Sequence, residues 1–385
     1  MNAKTFYEFF AGGGMARLGL GTDWQCTFAN DFDPVKAATY SANWGSEHFR
    51  REDINLLHAR DLPGVADMAW ASFPCQDLSL AGNAAGIGTA ASQTRSGAFW
   101  AFWNLIEGLI AEQRAPKVVV LENVYGSLTA NQGRDFATIC RCLALADYRF
   151  GAVILDAISF LPQSRPRMFL VAVRGDIEIP DRLIADGPVG SLHPKAMEQA
   201  LLRLAEVDQS QWVWWKVPFV QASRPTLLDM LESDTTVAWH DSGTTQRLVG
   251  MMSPLNRQKL DQMVRSRKRC VGTIYKRTRI EDGRRVQRAE LRDDGVAGCL
   301  RTPGGGSSRQ LILVVDQSEI RTRLLSAREA ARLMGLPDTY QLPARYNDAY
   351  HLAGDGLAVP VVAHLSQSII NPLIDESRMI PSLAA

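Results

Sequence analysis

Lys117-Val118-Val119-Val120-Leu121-Glu122-Asn123-Val124 is the stretch that decides the fold. A β-branched run without polar alternation suits a strand buried on both faces of a parallel sheet. Upstream, Asp67 to Ser72 reads as another buried strand, ending at Phe73-Pro74-Cys75, and Ser96 to Gln113 has helical length and period. Downstream, Asp135 to Ala146 reads as helix, and Tyr148–Asp156 and Phe169–Arg174 as strands. Nearer the amino terminus, Thr5 to Phe10 and Gln25 to Ala29 read as strands, with Asp33 to Asn43 a helix. Strands spaced by helices imply βαβ units and a doubly wound α/β sheet.

The alternation stops at about residue 178 and returns after Leu324, where Ser326 and Glu329 form a capping-box pattern. The intervening stretch holds Trp212, Trp214, Trp215 and Trp239, which are expected to form a small-domain core. Between Arg265 and Arg309 there are 13 Lys and Arg against 5 Asp and Glu, although the whole 385-residue chain has 42 against 41. Positive charge is therefore segregated, which excludes a globally polybasic chain but not a local nucleic-acid surface. With 46% hydrophobic and 22% charged residues, a sizeable core is expected and wholesale disorder is not. No run approaches 18 uninterrupted apolar residues and no leader pattern opens the chain, so an intracellular, non-membrane protein is expected. Six cysteines without Cys-x-x-Cys spacing support neither a disulfide scaffold nor a zinc site, and no metal is expected.

Several residue groups fall where an open α/β sheet places its ligand crevice, beyond the carboxyl ends of the strands. Phe10-Ala11-Gly12-Gly13-Gly14 gives a turn that a ligand can approach closely, with Asp31 and Asp53 as acids able to meet a ribose. The third glycine of a dinucleotide fingerprint is missing, because Arg17 stands there. Cys75, just past Pro74, is either a thiolate nucleophile or a buried structural cysteine. Glu122 is either a proton donor to a ring nitrogen or a helix cap, and Asn123 is placed to hold the loop carrying Cys75. In extended backbone Arg165 and Arg167 share a face, which suits an acidic ligand group.

Taken in order, these motifs resemble the DNA (cytosine-5)-methyltransferase family, in the manner of a bacterial or phage modification enzyme. Phe10-Ala11-Gly12-Gly13-Gly14 is similar to its cofactor motif, Pro74-Cys75-Gln76 to its catalytic motif, and Glu122-Asn123-Val124 and Gln163-x-Arg165-x-Arg167 to two more. Leu325-Ser326-x-Arg328-Glu329 with Leu333-x-Gly335-x-Pro337 resembles the late motif. Two positions vary: Glu8-Phe9 stands where Asp-Leu is common, and Asp355 where Asn is usual.

The resemblance implies a methyltransferase (Rossmann-like) sheet with helices on both faces, formed by residues 1–177 and 321–385. A smaller irregular, β-rich target-recognition domain would span 178–320. It implies S-adenosyl-L-methionine held by Phe10, Ala11, Gly12, Gly14, Asp31, Phe32, Asp53 and Asp355. A cytosine flipped from double-stranded DNA would be attacked at C6 by Cys75, assisted by Glu122, Arg165 and Arg167. Gln76, Ser79, Asn123, Arg277, Arg279, Arg301, Thr302 and Arg309 are the expected substrate contacts. A monomer acting on DNA in the bacterial cytoplasm, with a cognate restriction endonuclease, completes the expectation. A transfer-RNA cytosine-5 methyltransferase and a catalytically silent DNA-binding relative are the alternatives.

Overall fold

The computed structural model describes residues 3–74, 97–220, 223–301 and 308–379, in two compact units. The first comprises Met1–Asp156, Pro166–Phe219 and Pro360–Ala385, and the second Ala157–Arg165 and Val220–Val359.

The first unit is built on a seven-stranded sheet. Its strands are β1 (Lys4–Phe9), β2 (Trp24–Asn30), β3 (Phe49–Arg50), β4 (Met68–Ala71), β5 (Val118–Val124), β6 (Tyr148–Asp156) and β7 (Pro166–Arg174), in spatial order β3-β2-β1-β4-β5-β7-β6. Helices α1 (Met15–Leu20), α2 (Pro34–Trp44), α3 (Gly97–Ala111) and α4 (Arg134–Leu145) join them. Strands β3 to β5 run parallel with β1 and β2, whereas β7 is antiparallel to both β5 and β6. The sheet is therefore mixed, with β7 inserted as a reversed strand beside β5. Local rules set the helix ends: Asp33 accepts from the backbone N–H of Val35 (2.8 Å) and Lys36 (2.9 Å), and Pro34 opens α2.

Residues 195–217 belong to this unit too, carrying α5 (Lys195–Leu201) and α6 (Glu206–Gln209). The backbone of 211–213 hydrogen-bonds the outer side of β6, where Phe150 exchanges bonds of 2.9 and 2.7 Å with Gln211 and Val213. That covers a sheet edge which would otherwise expose its polar groups. Trp215 is wholly buried and donates to the Gly151 carbonyl at 3.0 Å. The small-domain core expected of the tryptophans is thus corrected. Trp212, Trp214 and Trp215 pack on the first unit's sheet, and only Trp239 lies in the second unit.

The second unit holds a four-stranded antiparallel sheet in the order β11-β10-β8-β9, from β8 (Cys270–Glu281), β9 (Arg284–Arg292), β10 (Leu311–Asp316) and β11 (Glu319–Leu324). Helices α7 (Ser242–Gly250) and α8 (Pro254–Arg265) supply Leu248, Val249, Leu260 and Met263 to a core shared with Ile274, Leu291 and Leu313. Then come α9 (Ala327–Leu333) and α10 (Tyr346–Asp355), with α11 (Val359–Leu365) and α12 (Asn371–Met379) closing the described chain. The run Tyr346–Arg378 is long and apolar enough to cross a membrane. Its Ile369, Ile370, Leu373 and Ile374 are wholly buried in protein, as in a core helix.

Ser326 and Glu329 form the expected capping box, and the structure adds a buried ion pair to it. Arg323 grips both Glu329 oxygens at 2.6 Å, and the same carboxylate accepts the backbone N–H of Ser326 and of Glu232 at 2.9 Å each. Both side chains are essentially inaccessible. Breaking a buried pair from one side strands the other charge, at a cost of about 3–5 kcal/mol. Glu329→Ala is expected to lower the unfolding free energy of the second unit by that amount, measured by urea titration and read through Trp239, over which the Arg323 guanidinium lies.

Candidate active site

Parallel alignment puts the carboxyl ends of β1, β2, β3, β4 and β5 on one edge. The strand order reverses direction between β1 and β4, the place where such sheets open a crevice. After β1 the chain takes left-handed backbone at Phe10 (φ 56°), Gly12 (φ 56°) and Gly14 (φ 78°). A Cβ at Gly14 would stand 2.3 Å from Trp44 Nε1, so that glycine serves packing. A Cβ at Gly12 would meet nothing within 4 Å, so that glycine turns toward open space. Asp31, at the end of β2, accepts the Gly12 N–H (2.9 Å) on one oxygen and the Asp33 N–H (3.0 Å) on the other. Burial pushes its carboxyl above the ordinary value, against the pull of Lys36 and these N–H groups. Phe32 beside it is 68% exposed. Asp53 follows β3, caps the turn Ile54–Leu56 and stays exposed. Phe10, Ala11, Gly12, Gly14, Asp31, Phe32 and Asp53 thus gather at one edge. Asp355 belongs to the second unit, exposed at the carboxyl end of α10.

Beside them, β4 leads through Phe73 and Pro74 toward Cys75; Cys75, Gln76 and Ser79 lie outside the described residues. Buried Asn123 donates its amide to the Phe73 carbonyl (3.4 Å), and its own carbonyl accepts the Val124 N–H (2.8 Å). Its amide therefore reaches the segment that leads to Cys75, in keeping with a residue placed to hold that loop. Glu122, 8% exposed, pairs with Arg167, Oε1 to Nε 3.2 Å. The register explains this pair: antiparallel β7 sets Arg167 opposite Val124, diagonal to Glu122 on the same face.

The single face expected for Arg165 and Arg167 is not what the chain adopts. Strand β7 starts at Pro166, and Arg165 sits before it, 1% exposed, in the second unit. Its guanidinium donates to the carbonyls of Gly354 and Gly356 (2.7 Å each) and of Leu300 (3.2 Å). Gln163, wholly buried, donates to the Leu333 carbonyl at 2.6 Å. These two residues fasten the late and final motifs of the second unit to one segment, a role for which the sequence carried no local signal.

On the basic sheet, Arg277 and Arg279 both pair with Glu290, at 3.3 Å and at shorter range. Arg301 is exposed, Thr302 lies outside the described residues, and Arg309 donates to Asn347 and lies 5.4 Å over the Tyr346 ring. Burial raises the thiols of Cys26 to about 12 and Cys142 to about 11, and that of Cys140 well above its usual value, so none of these three is a ready thiolate. Among the described residues no cluster of three potential metal ligands occurs.

The family model for C-5 cytosine-specific DNA methylases matches residues 4–371. The chain belongs to this family. It is a DNA (cytosine-5-)-methyltransferase, an enzyme that methylates cytosine in DNA. Type II methyltransferase M.HhaI of Haemophilus parahaemolyticus is 25% identical over 366 residues, 94% of this chain and 93% of that one. Type II methyltransferase M.HaeII of Haemophilus aegyptius is 27% identical over 384 residues, 97% and 95% of the two chains. In fold the chain is similar to the S. pombe Dnmt2 methyltransferase (TM-score 0.56, 19% identity, 96% and 99% covered). It is also similar to the Entamoeba histolytica methyltransferase EhMeth (TM-score 0.59, 14% identity, 98% and 99% covered).

One residue of this methyltransferase gained weight only from the structure. Glu8, the variant acid of the first motif, is 1% exposed in β1, behind the glycine turn. Tyr40 donates to it at 3.4 Å; the Tyr40 hydroxyl also meets His48 at 3.2 Å and accepts from Arg17 at 3.3 Å. Arg17, in the place of the missing glycine, lies 4.8 Å over the Trp44 ring. A lone acid inside Phe6-Tyr7-Glu8-Phe9 was the available signal. Burial lifts the Glu8 carboxyl from 4.5 to about 8, and Arg17 only partly offsets this. The folded state thus holds a proton that the unfolded chain releases near 4.5. Glu8 favours folding fully below 4.5, and this contribution is lost as pH rises through about 8. Glu8→Gln should flatten the fall in thermal stability between pH 5 and 9, measured by melting across that range, leaving the variant the more stable protein at pH 9.

Proposed function

We propose that the enzyme transfers a methyl group from S-adenosyl-L-methionine to C5 of a cytosine within a specific short sequence of duplex DNA. The supporting observation is the shared strand-end edge, which gathers the Gly12–Asp31 turn, the Pro74 turn tethered by Asn123, and the Glu122–Arg167 pair. The residues of the β1–β2 end fit a nucleoside. Gly12 faces open space, the Asp31 oxygens keep lone pairs for ribose hydroxyls, and Phe32 offers an exposed ring to a base. Asp53 is the further acid of this group and Asp355 the acid of the final motif. When bound, the donor supplies a methyl group on a sulfonium, electrophilic enough for carbon to attack.

The remaining chemistry belongs to the chain. The target base leaves the stack, since its ring carbons are shielded in the duplex. The Cys75 thiolate adds to C6, which makes C5 nucleophilic. Glu122, its carboxylate steadied by Arg167, holds a proton at N3 as charge builds there. Once C5 carries the methyl group, its proton passes to solvent water, the electron pair left behind restores the C5–C6 double bond, and the Cys75–C6 bond breaks to return the thiolate. Arg165 fixes the final motif of the second unit through the Gly354 and Gly356 carbonyls. Arg301 and Arg309, with the antiparallel sheet of the second unit, engage the duplex. The type II names of the relatives support a cognate restriction endonuclease as partner, and a monomeric working state in the cytoplasm completes the reading.

With radiolabelled methyl donor and mixed genomic DNA, wild type is expected to incorporate label, and Cys75→Ala to lose at least a thousandfold in rate, about 4 kcal/mol of transition-state stabilisation. Donor affinity of the variant, measured by calorimetry, should be unchanged. Label entering transfer RNA and not DNA would favour the RNA reading, and undiminished turnover by Cys75→Ala would end the covalent route.

A further inference from the structure

The β8–β9 hairpin has two chemically different faces. Strand β10 pairs β8 only over Cys270–Ile274, whereas β9 continues along β8 to Glu281. The far part of the hairpin is therefore a two-stranded ribbon, which is marginal unless cross-strand pairs support it. One face carries that support. Arg277 stands opposite Arg288, a like-charged pair, and each has a carboxylate in reach on the same face: Arg277 and Arg279 share Glu290, and Arg288 pairs with Glu281.

Lys276, Thr278 and Ile280 alternate onto the other face, with Arg285 and Gln287 opposite. Among the described residues, Lys276 and Arg285 have no carboxylate within ion-pair distance, unlike their neighbours. At the base of this face a pocket of about 480 Å³ is lined by His240, Thr244, Arg247, Lys276, Ser308 and Arg309. Two of its cations are held by neutral partners: Arg247 donates to the Thr244 hydroxyl at 2.8 Å and Arg309 donates to the Asn347 carbonyl oxygen. Ser308 Oγ accepts the backbone N–H of Lys276 at 2.9 Å. Asp241, a carboxylate that feels the Arg247 charge, caps α7 through the Thr244 N–H. Three cations with hydroxyl neighbours in one concavity suit a phosphate.

We infer that the duplex backbone docks on the Lys276 face, with a phosphate seated between Arg247, Lys276 and Arg309, while Arg277 and Arg279 hold the ribbon together. This rests on the reading of duplex DNA as substrate, and it reassigns two arginines that charge density alone had placed at the DNA. Arg247, outside the basic stretch of the sequence, joins the interface instead.

Phosphate contacts are indifferent to sequence, so the test does not need the recognition site. Binding of full-length protein to a fluorescent duplex of mixed sequence would be followed by anisotropy across a salt series. Each lost phosphate contact reduces the slope of log affinity against log salt by about 0.9. Lys276→Gln and Arg247→Gln should each show that reduction with an unchanged melting temperature, and Lys276→Arg should restore the slope. The double variant Arg277→Gln/Arg279→Gln should melt lower and keep the wild-type slope. A wild-type slope in Lys276→Gln and Arg247→Gln, or a slope reduced by about two in the double variant, would overturn the inference while leaving duplex binding intact. Absence of duplex binding by wild type would overturn both this inference and the DNA reading.

Discussion

The parallel alignment of the first five strands is the constraint on which the rest depends. Hydrogen bonding fixes β1, β2, β3, β4 and β5 in one direction, so everything that follows a strand emerges at the same edge. Val118, Val119 and Val120 of β5 are wholly buried, so its polar residues come only near its end, at Glu122 and Asn123. A nucleoside-type turn, an acid and the approach to a cysteine are brought together although more than a hundred residues of sequence separate the first from the last. Reversed β7 adds what a parallel strand cannot. Its amino end lies at that edge, which lets Arg167 reach Glu122.

The polar residues of the family motifs divide into two kinds. Arg167 and Asp31 stand at the strand-end edge of the first unit. Gln163, Arg165 and the Arg323–Glu329 pair are buried in the second unit, where they satisfy main-chain carbonyls or each other. A buried guanidinium that donates to three carbonyls is costly to dehydrate and therefore needs all of them. Such residues hold fixed geometry in segments that have little regular structure of their own.

Much of this was legible in the sequence. The strands flanking the glycine turn, the Pro74 turn and Glu122 have strong local signatures: apolar runs ended by glycine, proline or a single acid. The capping box at Ser326 was legible for the same reason. The antiparallel direction of β7 was not, because strand direction leaves no trace in hydrophobic periodicity. Nor was the packing of Trp212, Trp214 and Trp215 on β6, a tertiary contact permitted by Gly151, where a Cβ would meet the Val213 carbonyl at 1.8 Å. Alternation placed Arg165 and Arg167 on one face; strand pairing begins only at Pro166, and long-range carbonyls decide where Arg165 goes. The charge of the basic stretch was visible, but which arginines are ion-paired depends on cross-strand register.

The central question is whether this strand-end edge methylates cytosine in DNA. Bisulfite sequencing of DNA from cells expressing the protein, in a host lacking its own cytosine methylation, tests this most directly. Protected cytosines recurring in one short sequence, and vanishing when Glu122 is replaced by alanine, are the predicted result. Complete conversion of the host DNA by bisulfite, with the protein folded and abundant, would contradict it.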